Sequence, residues 1–116
     1  MEMKIENHAS GALRIHLDGR LDTVGVDGIE IRFEAAVASS GRDVLVDLSD
    51  VSFVSSMGVR LLISAARAQR LRGKRQTVLF QAQPPVAATL AMVALDQIIP
   101  IVADEAQALA RLTQQN

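Results

Sequence analysis

The chain has no cysteine, tryptophan or tyrosine among its 116 residues, and only three phenylalanines. Without thiols there is no cysteine nucleophile, no thiolate zinc site and no disulfide framework. So few aromatic rings cannot build the stacking platform that single-stranded nucleic acid requires. Apolar residues are nonetheless 49% of the chain, so its core must be assembled from Ala, Val, Leu and Ile. Twelve basic residues against thirteen acidic ones leave a formal charge of −1, with no overall field to recruit nucleic acid or an anionic membrane. Neither is expected as a direct partner. The seven glycines are scattered, none forms Gly-x-Gly-x-x-Gly, and no nucleotide or other cofactor is expected. The longest charge-free apolar run, residues 84–95, falls far short of the roughly 20 residues that span a bilayer, so no membrane insertion is expected. No charged-then-apolar signal segment opens the sequence, and a cytoplasmic protein is the simplest reading. Its length suits one domain over residues 1–116.

What is present is periodic. Leu13, Ile15, Leu17 and Leu21 alternate with Arg14, His16, Asp18 and Arg20, the period of a half-buried strand. Met3 and Ile5 alternate with Lys4 and Glu6 in the same way, which predicts an opening strand pair. Over residues 27–38 the apolar positions Ile29, Phe33, Ala36 and Val37 shift to helical spacing, ending near Ser39-Ser40-Gly41. Val44-Leu45-Val46 reads as a central strand covered on both faces. Val59, Leu62, Ile63 and Ala66 predict a helix ending near Gly73, with Arg60, Arg67, Arg70 and Lys74 on another face. A strand over residues 76–81, a helix opened by Pro84-Pro85 and running to about Ala94, a strand over 98–102 and a helix over 103–112 complete the order. Strands alternating with helices define an α/β sandwich with a mixed, mostly parallel sheet of about five strands and about four helices. Sites in such sheets lie at the C-terminal ends of the parallel strands. Two loops qualify: Gly19-Arg20-Leu21-Asp22-Thr23, and residues 47–57.

The second loop holds the most informative stretch, Phe53-Val54-Ser55-Ser56-Met57-Gly58-Val59-Arg60, which sets two hydroxyls where an apolar strand yields to a helix. Ser56 is expected to cap that helix, and a phosphoryl group there would face the positive end of the helix dipole. Most serines at helix starts are plain caps, so the hydroxyls alone do not decide a function. Other chemistries lack parts. Asp47 and Asp50 would suit a phospho-aspartate receiver, but the acidic pair and the lysine such a site needs are missing, and both are read as turn and cap residues. His8 and His16 are read as surface residues, and no Gly-x-Ser-x-Gly elbow accompanies them, so an enzyme is not expected. No metal site is expected. The arginine face is either solvated surface or a face for docking a partner.

In order and spacing, Gly19-Arg20-Leu21-Asp22-Thr23, Val44-Leu45-Val46-Asp47-Leu48-Ser49-Asp50-Val51 and Phe53-Val54-Ser55-Ser56-Met57-Gly58-Val59 resemble the STAS domain of the anti-sigma factor antagonists. The likeness extends through Ala94-Leu95-Asp96-Gln97-Ile98-Ile99-Pro100-Ile101 and Asp104-Glu105-Ala106-Gln107-Ala108-Leu109. It implies a small bacterial switch protein that binds an anti-sigma factor, itself a serine kinase, and so frees a sigma factor. Phosphorylation would reverse binding and a serine phosphatase would reset it. The family's switch pattern is an apolar pair followed by Asp-Ser-Ser-Gly. It sets Ser56 at the phosphoacceptor, Ser55 at the Asp and Met57 at the second Ser, with Ser55 an alternative acceptor. The partner face implied is Asp22, Thr23, Ser55, Ser56, Met57, Gly58 and Arg60. The alternative is a constitutive STAS subunit of a lipid-transport ABC complex or a sensory assembly, with Ser56 only a cap.

Overall fold

A computed structural model describes residues 1–113. Strands β1 (Glu2–Asn7) and β2 (Leu13–Leu21) form the expected opening pair. Helix α1 (Thr23–Ser39), strand β3 (Val44–Val54), helix α2 (Ser56–Arg72) and strand β4 (Thr77–Phe80) follow. Helix α3 (Pro84–Met92), a 3₁₀ turn (Leu95–Gln97), strand β5 (Ile101–Val102) and helix α4 (Glu105–Thr113) close the order. The five strands lie side by side in sequence order; β1 runs antiparallel to β2, and the remaining pairs are parallel.

That order dictates where the helices go. Parallel strands added successively in one direction, through crossovers of one hand, put every crossover helix on the same face of the sheet. Accordingly Ile29, Phe33 and Val37 of α1, Leu62 and Ala66 of α2, and Val86 and Leu90 of α3 share one core with Ile15, Leu17, Val46 and Leu48. The opposite face is covered by α4, whose Ala108 packs with Leu45, Val78 and Phe80. β3 is therefore the central strand, with Val44, Leu45 and Val46 fully enclosed.

Several boundaries differ from the expectations. β3 runs eleven residues to Val54, so residues 47–54 are strand and only Ser55 separates β3 from α2. Its polar residues hid it: Asp47, Ser49, Asp50 and Ser52 break the apolar run, and the β2–β3 register slips between His16 and Asp18 and again between Gly19 and Arg20. Asp47 is no turn residue; its side chain is 6% exposed and pairs with Arg14. Asp50, at the first slip of the strand, pairs with His16 at 2.7 Å. Both histidines are half-buried and partnered, His8 by Ser10 at 2.9 Å. α1 starts at Thr23, before the predicted position, because Asp22 caps it and the glycines at 25 and 28 interrupt the apolar period. α3 stops at Met92, where Ala94 turns into the left-handed region, and β5 shrinks to two residues beyond Pro100.

Candidate functional site

The site is built where two strands end together. Leu21 and Val54 are register partners on adjacent parallel strands, so the next residues, Asp22 and Ser55, start α1 and α2 side by side. Asp22 Oδ1 accepts the Gly25 amide at 2.9 Å and caps α1. Its other oxygen accepts from Arg20 Nε at 3.2 Å. The Gly25 amide and then the Arg20 guanidinium hold the Asp22 carboxyl below its ordinary pKa. Thr23 is the first, exposed residue of α1.

Ser55, not Ser56, caps α2. The Ser55 hydroxyl donates to the Leu21 carbonyl at 3.1 Å and accepts the Gly58 amide at 3.4 Å. Its backbone amide reaches the same Leu21 carbonyl at 3.0 Å. Capping needs an extended residue just outside the helix. Ser55 has φ −92° and ψ 176°, whereas Ser56 is already helical. The expectation of a Ser56 cap is corrected by one position. Ser56 is left exposed at the first helical residue, and its hydroxyl has no hydrogen-bond partner among the described residues. A group attached there would project toward solvent beside the positive end of α2.

Met57 is half-buried against the main core. Gly58 is buried because α2 begins in contact with β2: a Cβ there would lie 2.5 Å from both the carbonyl oxygen and Cδ2 of Leu21. Arg60 is exposed, one turn beyond Ser56. The structure thus brings Asp22, Thr23, Ser55, Ser56, Met57, Gly58 and Arg60 to the adjoining starts of two helices. The four residues of the supposed arginine face divide between two hollows. Arg60 and Arg67 line one along α2, while Arg70 and Lys74 line another near Ile98.

One pair escaped the sequence reading. The Arg20 guanidinium lies over the Phe53 ring at 4.4 Å, with Phe53 40% exposed beside the site. A phenylalanine held at the surface of a chain with so few rings was the available signal. Among the described residues, no three His, Asp or Glu side chains are grouped to hold a metal, and no helix is long and apolar enough to cross a membrane.

A five-stranded mixed sheet with its crossover helices on one face and two helix starts at the ends of β2 and β3 defines a small α/β module with its site at the adjoining ends of two central strands. The STAS domain model matches residues 3–108, and the chain belongs to the STAS domain family. A relative from Paenibacillus polymyxa, an anti-sigma F factor antagonist, is 27% identical over 114 residues, covering 97% of each chain. An anti-sigma-factor antagonist (STAS) domain protein from Planctomyces limnophilus superposes with a TM-score of 0.82 at 23% identity, covering 95% of this chain and 96% of that one. The Bacillus cell fate determinant SpoIIAA in its phosphorylated form matches with a TM-score of 0.67 at 22% identity, over 95% of this chain and 98% of that one.

Proposed function

We propose that the protein is an anti-sigma factor antagonist of a cytoplasmic partner-switching pathway, switched by phosphorylation of Ser56. The observation that carries this reading is the division of labour between the two serines. Ser55 spends its hydroxyl on the Leu21 carbonyl and the Gly58 amide, while Ser56 presents an uncommitted hydroxyl to solvent. The Paenibacillus relative adds support as an anti-sigma F factor antagonist, and SpoIIAA as a similar fold solved in a phosphorylated form.

A phosphate on Ser56 adds about −1.5 to −2 charge and three acceptor oxygens. At the start of α2 it is favoured by the helix dipole, so the fold tolerates it. A partner surface fitted to a neutral hydroxyl does not. Trapping an unpaired charge in an interface costs about 3 to 5 kcal/mol, enough to turn nanomolar binding into micromolar. The partner on this reading is an anti-sigma factor with serine kinase activity, and a serine phosphatase restores the hydroxyl.

The test is fragment-ion mass spectrometry of the protein from growing and stressed cells, together with affinities for the anti-sigma factor encoded in the same genome. Phosphate is expected on Ser56 and absent in Ser56→Ala, which keeps its partner. Ser56→Asp is expected to weaken binding by at least tenfold. Equal affinities for wild type, Ala and Asp, or copurification with a permease and its ATPase and no kinase, would reject the switch.

A further inference from the structure

Charge is distributed unevenly along this chain. Residues 51–95 contain Arg60, Arg67, Arg70, Arg72, Lys74 and Arg75 and no carboxylate. The cations at the end of α2 have a structural explanation. Arg70 and Arg72 occupy its last turn, where cations complement the helix dipole, and Arg70 also donates to the Ile98 carbonyl. Arg60 and Arg67 have none. They sit in the first turns and middle of α2, where the dipole offers a cation nothing, and they make no ion pair or hydrogen bond with any described residue. Both flank a groove of about 550 Å³ whose apolar lining is Val59, Ile63, Ala68 and Leu71. Leu71 is 84% exposed. Ser56 stands at the mouth of the groove. Among the described residues the one carboxylate bonded to its lining, Glu34 of α1, is engaged by the Ser64 hydroxyl at 3.4 Å.

We propose that this groove seats an acidic amphipathic helix of the protein partner, its apolar residues on Val59, Ile63 and Leu71 and its carboxylates against Arg60 and Arg67. The inference rests on the partner-switching reading for the partner's identity, but not for its test. Apolar positions spaced along one line of α2 match the anchors of a helix lying in a groove. Two cations without partners supply the charge complementarity that fixes register and excludes wrong partners. A protein segment is favoured over a lipid surface because Val59 is buried and Ile63 half-buried, which leaves Leu71 as the one large apolar side chain of the lining exposed enough to enter a bilayer. A Ser56 phosphate then acts on the same surface. It lies one helical turn from Arg60, draws that guanidinium to itself, and repels the incoming carboxylates.

The probe is a synthetic helix with leucines at helical spacing and glutamates between them, titrated into ¹⁵N-labelled protein. Its counterpart carries lysines in place of the glutamates. Amide shifts are expected at Val59, Ile63, Arg67 and Leu71 with the acidic peptide alone. Arg60→Glu combined with Arg67→Glu should lower its affinity at least tenfold, and Leu71→Ser, at a position too exposed to affect folding, several-fold. Protein phosphorylated at Ser56 should bind it at least tenfold more weakly than the unmodified protein. Equal affinity for the two peptides, shifts outside α2, or binding to phosphatidylserine vesicles in place of the peptide overturns the groove. If Ser56 is phosphorylated in cells while the groove ignores the acidic peptide, this inference fails and the switch stands. If the peptide binds but Ser56 is never phosphorylated, the groove stands and the switch fails.

Discussion

A single carbonyl, that of Leu21, organises the site. It receives the Ser55 amide and hydroxyl, and it lies where any side chain on Gly58 would have to go. The start of α2 is therefore fixed to the end of β2 through atoms that carry no signal of their own. Two substitutions separate the roles of the adjacent serines. Ser55→Ala removes a cap and is expected to cost about 1 kcal/mol. Ser56→Ala removes an exposed, unbonded hydroxyl and is expected to stay within about 0.5 kcal/mol of wild type. Urea denaturation of both variants checks this, and equal losses would mean that the two hydroxyls share the cap. Gly58→Ala should cost about 1 to 3 kcal/mol, because the added methyl must push α2 off Leu21. At this scale the sequence was only half legible. It marked the Ser-Ser pair as a helix start, but which serine caps depends on where β3 stops. That is decided by the pairing of Val54 with Leu21, 33 residues earlier in the chain.

At the scale of elements, alternating and helical periods, the apolar run of β3 and the proline pair before α3 located every strand and α-helix. What they missed was structure made by polar residues in pairs. Asp47 and Asp50 read as turn residues since an isolated carboxylate is rarely inside a central strand. Here Arg14 of β2 supplies the compensation: Nη2 donates to Asp47 at 2.8 Å, and Nε to Glu105 of α4 at 2.6 Å. The Arg14 plane also lies 5.4 Å from the Phe80 ring, so one side chain ties two central strands to the C-terminal helix. Burial opposes ionisation of Asp47, yet hydrogen bonds from Ser49 and Arg14 outweigh it and hold its carboxyl below the ordinary value. A depressed carboxyl stabilises the fold fully above the unfolded pKa of about 3.9 and loses that contribution as pH falls through the lower folded value. Asp47→Asn is thus expected to cost about 1 to 3 kcal/mol at neutral pH. The gap to wild type should narrow below about pH 4. Asp22, also depressed, remains in both proteins, so the difference isolates Asp47. Urea midpoints measured from neutral to acid pH decide the matter, and a gap that stays constant would assign the cost to lost packing.

For the whole molecule, a net charge of −1 conceals a strong separation of charge. Residues 51–95 carry six cations and no anion, leaving six cations and thirteen anions in the rest. Near-neutrality overall argued against recruitment by an electrostatic field, and for nucleic acid or membrane that argument holds at the level of net charge. It does not hold at short range. Opposite charges are screened over about 8 Å at physiological ionic strength, so an approaching surface responds to the patch it faces. The cations of residues 51–95 belong to α2 and the turn after it, Arg60 and Arg67 along the groove and Arg70, Lys74 and Arg75 around the hollow near Ile98, and they make that helix and its end locally positive. The protein should consequently be retained on a sulfonate cation exchanger at neutral pH in low salt, despite a pI near 6.1. Lys74→Gln with Arg75→Gln should elute earlier while leaving the acidic peptide's dissociation rate unchanged, because neither residue lines the groove. Their loss should appear in the association rate, which steering by distant charge governs and which rising salt suppresses. Retention no stronger than that of a uniformly charged protein of the same pI would show that α1 and the acidic strands neutralise the patch, and would remove steering from the account while leaving contact by Arg60 and Arg67 intact.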